Sequence, residues 1–127
     1  MENGGMLFVY GSLKRGFHNH SYLRGARFFG EGRTRPVFDL VDLDDFPATV
    51  RAGRFHIQGE IYRVNSRILG DVDLLEGNGI FYERVIETIF TSNGEVDCWL
   101  YVLIARDARM KSVAPLPDGL TKTWRRR

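Results

Sequence analysis

Cysteine is almost missing from this chain. Cys98 stands alone, so no internal disulfide can staple the fold. Within Asp97-Cys98-Trp99-Leu100-Tyr101 it alternates with its neighbours as a strand residue does, which assigns it to packing; a catalytic role would require a base from His18, His20 or His56. An unpaired thiol, with no leader of signal-peptide type, sets the expectation of a reducing, cytoplasmic compartment. Long apolar runs are also lacking: none approaches the roughly 20 residues that a bilayer-crossing helix needs, so no membrane partner is expected. No repeat or low-complexity linker divides the chain, which is read as one domain over residues 1–120 followed by a basic tail over residues 121–127. The net charge of +2 belongs to that tail, because Lys122, Arg125, Arg126 and Arg127 crowd its end and the rest carries 14 basic against 16 acidic side chains. A mildly acidic body argues against a nucleic-acid groove. The tail itself reads as a frayed, surface-lying end, with Trp124 as its one candidate for docking.

Chemistry is restricted in the same way. No His, Cys, Asp or Glu cluster has metal-ligand spacing, no glycine-rich segment matches a nucleotide fingerprint, and no Ser-His-Asp set can be assembled. The inventory left for a mechanism is a carboxylate and backbone donors, with no cofactor and no metal expected.

What is present suffices for a core: 43% of the 127 residues are hydrophobic and 13% aromatic. Strands are expected at Leu7–Tyr10, Phe28–Thr34, Val37–Asp42, Arg54–Val64, Tyr82–Thr91 and Glu95–Ile104, with a short helical piece around His20–Leu23 and one substantial helix at Ser66–Glu76. Pro36, Pro47 and Gly53 punctuate the early strands, and Asn93-Gly94 between alternating runs marks a hairpin. These elements imply an α+β fold, a mixed, mainly antiparallel curled sheet or small β-barrel with one main helix.

Two segments carry the chemical signal. Leu7-Phe8-Val9 runs into Tyr10-Gly11-Ser12-Leu13-Lys14-Arg15-Gly16, a glycine-bracketed turn whose N–H groups can converge on a carboxylate or an oxyanion. Ile68, Leu69, Val72 and Leu75 recur at helical spacing after Ser66, a candidate N-cap, and before Gly77, a candidate C′ residue. Glu76 thus falls on the last helical turn, at the negative end of the dipole, where its proton affinity rises. Other polar residues have plainer readings: Tyr62 and Tyr101 as wall, Arg84 as the partner of Glu83 or Glu87, His18 and His20 as a solvated loop beside the turn.

Tyr10-Gly11-Ser12-Leu13 and Leu74-Leu75-Glu76-Gly77 with Tyr82 and Arg84 together resemble the gamma-glutamylcyclotransferase-like family, most closely its gamma-glutamylamine cyclotransferase branch. Intervening segments fall in the same order: Lys14-Arg15-Gly16, Asn19-His20, Phe46-Pro47-Ala48 and Gly59-Glu60-Ile61-Tyr62-Arg63-Val64. Leu120-Thr121-Lys122-Thr123-Trp124, in place of a Gly-Asp-Trp segment, departs from it. The resemblance implies release of 5-oxoproline and a free amine from a small-molecule gamma-glutamyl amine, such as gamma-glutamyl-ε-lysine, by attack of the substrate's own α-amino group. It makes Glu76 the catalytic acid and base, and Tyr10, Gly11, Ser12, Leu13 and Tyr82 the substrate-binding residues. Segments 44–49 and 78–81 are expected to select the substrate. The alternatives are a non-catalytic binding module on the same fold and a gamma-glutamyl-removing step in natural-product biosynthesis.

Overall fold

A computed structural model describes residues 3–44, 46–51, 53–104 and 110–125. Asp45, within one substrate-selecting segment, and Arg126 and Arg127 of the tail lie outside them.

Five strands close on themselves. β1 (Asn3–Val9), β2 (Arg27–Thr34), β5 (His56–Asn65), β6 (Tyr82–Thr91) and β7 (Gly94–Leu103) pair in the order β1-β7-β6-β2-β5, and β5 returns to β1. β1 and β7 are parallel and the other pairs in the ring antiparallel, which gives the mixed, mainly antiparallel barrel expected from the alternating runs. β6 and β7 form the longest ladder, ending at Thr91 opposite Gly94, so the hairpin loop is Ser92-Asn93. Gly94 takes a φ of 113°, a value only glycine adopts without strain.

β3 (Phe38–Asp42) is joined by a strand that the sequence pattern hides, β4 (Pro47–Arg51). Pro47 reads as punctuation in the sequence, yet it opens an edge strand, where a residue without an N–H does no harm. Two-residue strands β8 (Lys111–Ser112) and β9 (Thr121–Lys122) are too short to leave a periodic trace; they add to β3 and to β5.

Among the described residues there is a 3-10 turn at His20–Leu23 and one α-helix, α1 (Ser66–Glu76), which packs on the barrel's outside. Its N-cap is Asn65 rather than Ser66: the Asn65 side chain accepts from Ile68 N–H at 2.8 Å. Both faces of β1 are consequently buried, since Phe8 and Tyr10 join the barrel core with Ile57, Ile61, Ile89 and Leu100, while Leu7 and Val9 join Ile68, Leu69 and Val72 beneath α1. Cys98 is buried within the barrel core, as its alternation predicts, and burial pushes its thiol up to about 12.

The chain end corrects the expectation of a frayed tail from residue 121. Thr121, Lys122 and Trp124 are buried. His56 N–H donates to the Leu120 carbonyl at 2.8 Å, Trp124 enters the barrel core, and the Lys122 ammonium lies 2.6 Å from Asp39 Oδ1 and 2.8 Å from Ser112 Oγ. The physical reason is that one charge of the basic cluster has a partner on β3 and the tryptophan beside it has a core to fill. Among the described residues, no helix is long and apolar enough to cross a membrane.

Candidate active site

The C-terminal end of α1 points its last residue into a cavity. Gly77 adopts a left-handed φ of 61° and donates to the Leu74 carbonyl, while Asn78 N–H reaches back to the Asp73 carbonyl at 2.9 Å, the paired bonds of a Schellman cap. That cap fixes the direction of Glu76. The cavity holds about 430 Å³ and is bounded by the end of β1, the turn after it, the helix end, and the adjoining ends of β6 and β7.

All six residues expected to form the site line this one cavity: Tyr10, Gly11, Ser12, Leu13, Glu76 and Tyr82. Their roles differ. Burial raises the Glu76 pKa to about 7, and among the described residues its carboxylate meets no cation and no hydrogen-bond donor. A carboxylate so placed takes up and releases protons near neutrality, which an exposed glutamate cannot do.

Across the cavity, Gly11, Ser12 and Leu13 present N–H groups that make no hydrogen bond among the described residues, because the turn closes through Lys14 N–H to the Gly11 carbonyl and Asn19 N–H to the Ser12 carbonyl. Asn19, which sequence reasoning did not single out as a site residue, also lines the wall, and its side-chain N–H donates to Ser12 Oγ at 2.9 Å. With its oxygen accepting from Asn19, the Ser12 hydroxyl is left to donate. The turn thus forms a cup at the cavity, with three backbone N–H groups and one hydroxyl in the residues that line it.

Gly11 matters for space rather than for φ. A Cβ on it would sit 2.4 Å from Pro47 Cγ, so the proline ring occupies the room that a side chain would need, whereas Gly16 is the residue with the positive φ, 87°. Gly11→Ala is therefore expected to cost about 1–3 kcal/mol through overpacking, read as a lower urea midpoint; an unchanged midpoint would mean that Pro47 yields freely.

The tyrosines are braces. Tyr10 is buried, and its hydroxyl donates to the Tyr101 carbonyl at 3.0 Å and accepts from Thr49 N–H at 3.1 Å. Its pKa is held well above the usual tyrosine value by burial first, then by Tyr82 and Glu76. Tyr82 donates to the Pro47 carbonyl at 3.1 Å, tying the start of β6 to β4. Tyr101 also faces the cavity, with its hydroxyl on Asp73; burial, then Asp73, raises its pKa.

Arg84 does not pair with Glu83 or Glu87. Its Nε lies 2.9 Å from Asp73 and its guanidinium stacks 4.2 Å from the Trp99 ring, while Glu87 is taken by Arg35 and Arg51. His18 and His20 stay off the cavity wall, His20 donating from Nδ1 to the Leu13 carbonyl at 2.9 Å, and Tyr62 packs elsewhere, under α1. Phe46, Phe81, Leu43, Leu75 and Leu103 belong to the apolar part of the wall. Phe46 and Phe81 fall within the two segments expected to select substrate.

Comparison with known proteins gives the chain's family. The family described as "Gamma-glutamyl cyclotransferase, AIG2-like" matches residues 7–126. A Methanocaldococcus jannaschii protein named as a candidate gamma-glutamylcyclotransferase is 38% identical over 98 residues, covering 75% of this chain and 81% of its own. The gamma-glutamylcyclotransferase family protein YtfP of Escherichia coli is 31% identical over 97 residues, 76% of this chain and 80% of its own. In three dimensions the chain resembles an AIG2-like protein from Mus musculus, with a TM-score of 0.78 at 24% identity over 100% of this chain and 99% of that one. The chain belongs to the AIG2-like gamma-glutamyl cyclotransferase family and is an enzyme of gamma-glutamylcyclotransferase type.

Proposed function

We propose that the protein cyclises the gamma-glutamyl unit of a gamma-glutamyl amine, releasing 5-oxoproline and the free amine, with Glu76 as general acid and base. One observation carries the reading: a carboxylate with a pKa of about 7 shares its cavity with the unoccupied N–H groups of residues 11–13.

The mechanism follows from that pairing. The cup holds an anion of the substrate, either its α-carboxylate or the oxygen on which negative charge develops. The cavity holds the glutamyl chain folded, so that the α-nitrogen lies against the γ-carbonyl carbon; such enforced proximity supplies several kcal/mol of the barrier. Ionised Glu76 takes a proton from the α-ammonium, the freed nitrogen attacks the γ-carbonyl carbon, and the five-membered ring closes as the bond to the leaving nitrogen breaks. Glu76 then returns the proton to that nitrogen. The ring nitrogen sheds its second proton as the ring closes, and Glu76 relays it to the same departing nitrogen, which leaves as an ammonium; two protons pass through Glu76 and no water is consumed. The raised pKa brings carboxylate and amine closer in basicity, which lowers the cost of both transfers.

Incubation with a gamma-glutamyl amide tests this by product balance. The expected result is 5-oxoproline and free amine in equal amounts; glutamate in place of 5-oxoproline would show hydrolysis and defeat the cyclisation.

A further inference from the structure

The apolar anchors of α1 stop short of its functional end. Ile68, Leu69 and Val72 are buried, but in the last turn Leu75 is only partly covered and Leu74 keeps 83% of its surface exposed. Packing of an apolar face is what holds most protein helices in place, and the turn that carries Glu76 has little of it. That turn also holds no basic residue to offset the negative end of the dipole, where Asp73 and Glu76 both sit.

Polar contacts from the barrel take over there. Asp73 Oδ1 accepts from Arg84 Nε at 2.9 Å and from the Tyr101 hydroxyl. Arg84 belongs to β6 and Tyr101 to β7, so one carboxylate oxygen ties the helix end to two barrel strands. The guanidinium stacks 4.2 Å from the Trp99 ring, and Trp99 is fixed in turn by its indole N–H, which donates to the Gly4 carbonyl at 2.9 Å. A second link runs through the cap: Arg84 N–H donates to Asn78 Oδ1 and Asn78 N–H to the Asp73 carbonyl, both at 2.9 Å. Arg84 therefore grips the last turn of α1 directly and through the residue that closes it, and it places a cation where the dipole favours one.

We propose that Asp73 and Arg84 are positioning residues for Glu76: their ion pair holds the last turn of α1 against β6 and β7 and so keeps the Glu76 carboxylate within reach of the nitrogens that exchange protons. Neither side chain lines the cavity, so the pair acts through Glu76 and touches no substrate. The inference rests on the reading of Glu76 as the proton carrier and adds no step to the reaction. A misplacement of about 1 Å can cost about 10²-fold in rate. The loss falls on kcat, because the cup at residues 11–13 lies across the cavity from the helix end and binds as before.

The test measures kcat and KM for 5-oxoproline release from one gamma-glutamyl amide in the wild type, Asp73→Ala, Arg84→Met, their double variant and Asp73→Asn, with a thermal melt of each protein. Asp73→Ala and Arg84→Met are each expected to lower kcat by about 10- to 100-fold and to leave KM within about threefold. The double variant loses no more than about threefold beyond either single one, since the pair acts as a unit. Asp73→Asn stays within about threefold of the wild type in kcat, because its amide oxygen still accepts from Arg84 and Tyr101. Should neither truncated protein melt cooperatively, Arg84→Lys, which keeps the charge but not the planar contact with Asp73 and Trp99, decides by a loss of about threefold or more in kcat. Unchanged kcat in the folded variants, a loss carried by KM, or an Asp73→Asn as slow as Asp73→Ala overturns the inference and leaves the cyclotransferase reading intact. No 5-oxoproline from the wild type overturns both.

Discussion

Glu76→Gln is expected to lower kcat/KM for 5-oxoproline release by about 10²- to 10⁴-fold, the usual worth of a general acid–base group, and at the same time to make the protein more stable at pH 8. The first effect follows because an amide of nearly the same shape fills the cavity but cannot accept the ammonium proton. The second follows from burial. Glu76 has a pKa near 4.5 when solvated and about 7 in the fold. Between those values the unfolded chain has released this proton and the folded one has kept it. Stability therefore falls as pH rises through the window, and the loss is complete above pH 7, at about 2–3 kcal/mol after allowance for water at the cavity mouth. Glutamine does not titrate, so its advantage over the wild type is small at pH 4.5 and full at pH 8. Urea unfolding of both proteins at the two values measures it. A variant that keeps its activity, or that shows no gain in stability between the two, would remove Glu76 from the role given to it.

Lys122→Ala is expected to cost far more stability than the loss of an ordinary surface charge. The side chain is 2% exposed, its ammonium contacts Asp39 and Ser112, and it lies 4.1 Å from the Phe55 ring. Breaking a buried ion pair by removing one partner typically costs about 3–5 kcal/mol, because the other charge stays behind. Asp39 retains bonds from Leu40 N–H and Ser112 Oγ and is partly exposed, so about 2–3 kcal/mol is expected. A denaturation midpoint for Lys122→Ala, set beside the Asp39→Asn/Lys122→Met double variant, separates charge from packing. The double variant should recover part of the loss. A change within about 0.5 kcal/mol, as for an ordinary surface residue, would mean that the contact of Lys122 with Asp39 contributes nothing to the fold.

Lys122 also shows where the sequence stops being informative. Its neighbours are basic, and charge counting alone assigns all of them to solvent; only the distant Asp39 and the space left for Trp124 in the barrel decide otherwise. Partners so far apart in sequence leave no local trace. The barrel strands and α1 were legible because periods of two and 3.6 survive in the apolar residues, and Asn93-Gly94 fixed the hairpin. β4 was hidden by Pro47, whose meaning changes at a sheet edge. Within the cavity, Glu76 was legible from the helix period ending at Gly77, and the cup from its glycines. Tyr10 and Tyr82 were legible as residues of the cavity, but that their hydroxyls hold backbone partners was not, because it is set by how β4 and β7 pack against β1 and β6. Asn19 was legible only as part of the Asn19-His20 segment of the family resemblance, without a role of its own. Its role arises only when the turn folds back on Ser12.

The pH dependence of kcat/KM for 5-oxoproline release by the wild type tests the central claim most directly, since it reads the ionisation of the free enzyme's essential base. The account predicts a rate that rises with pH through a midpoint near 7, where burial sets Glu76. An acid limb near 4.5, the value of a solvated glutamate, or no acid limb at all, would contradict it.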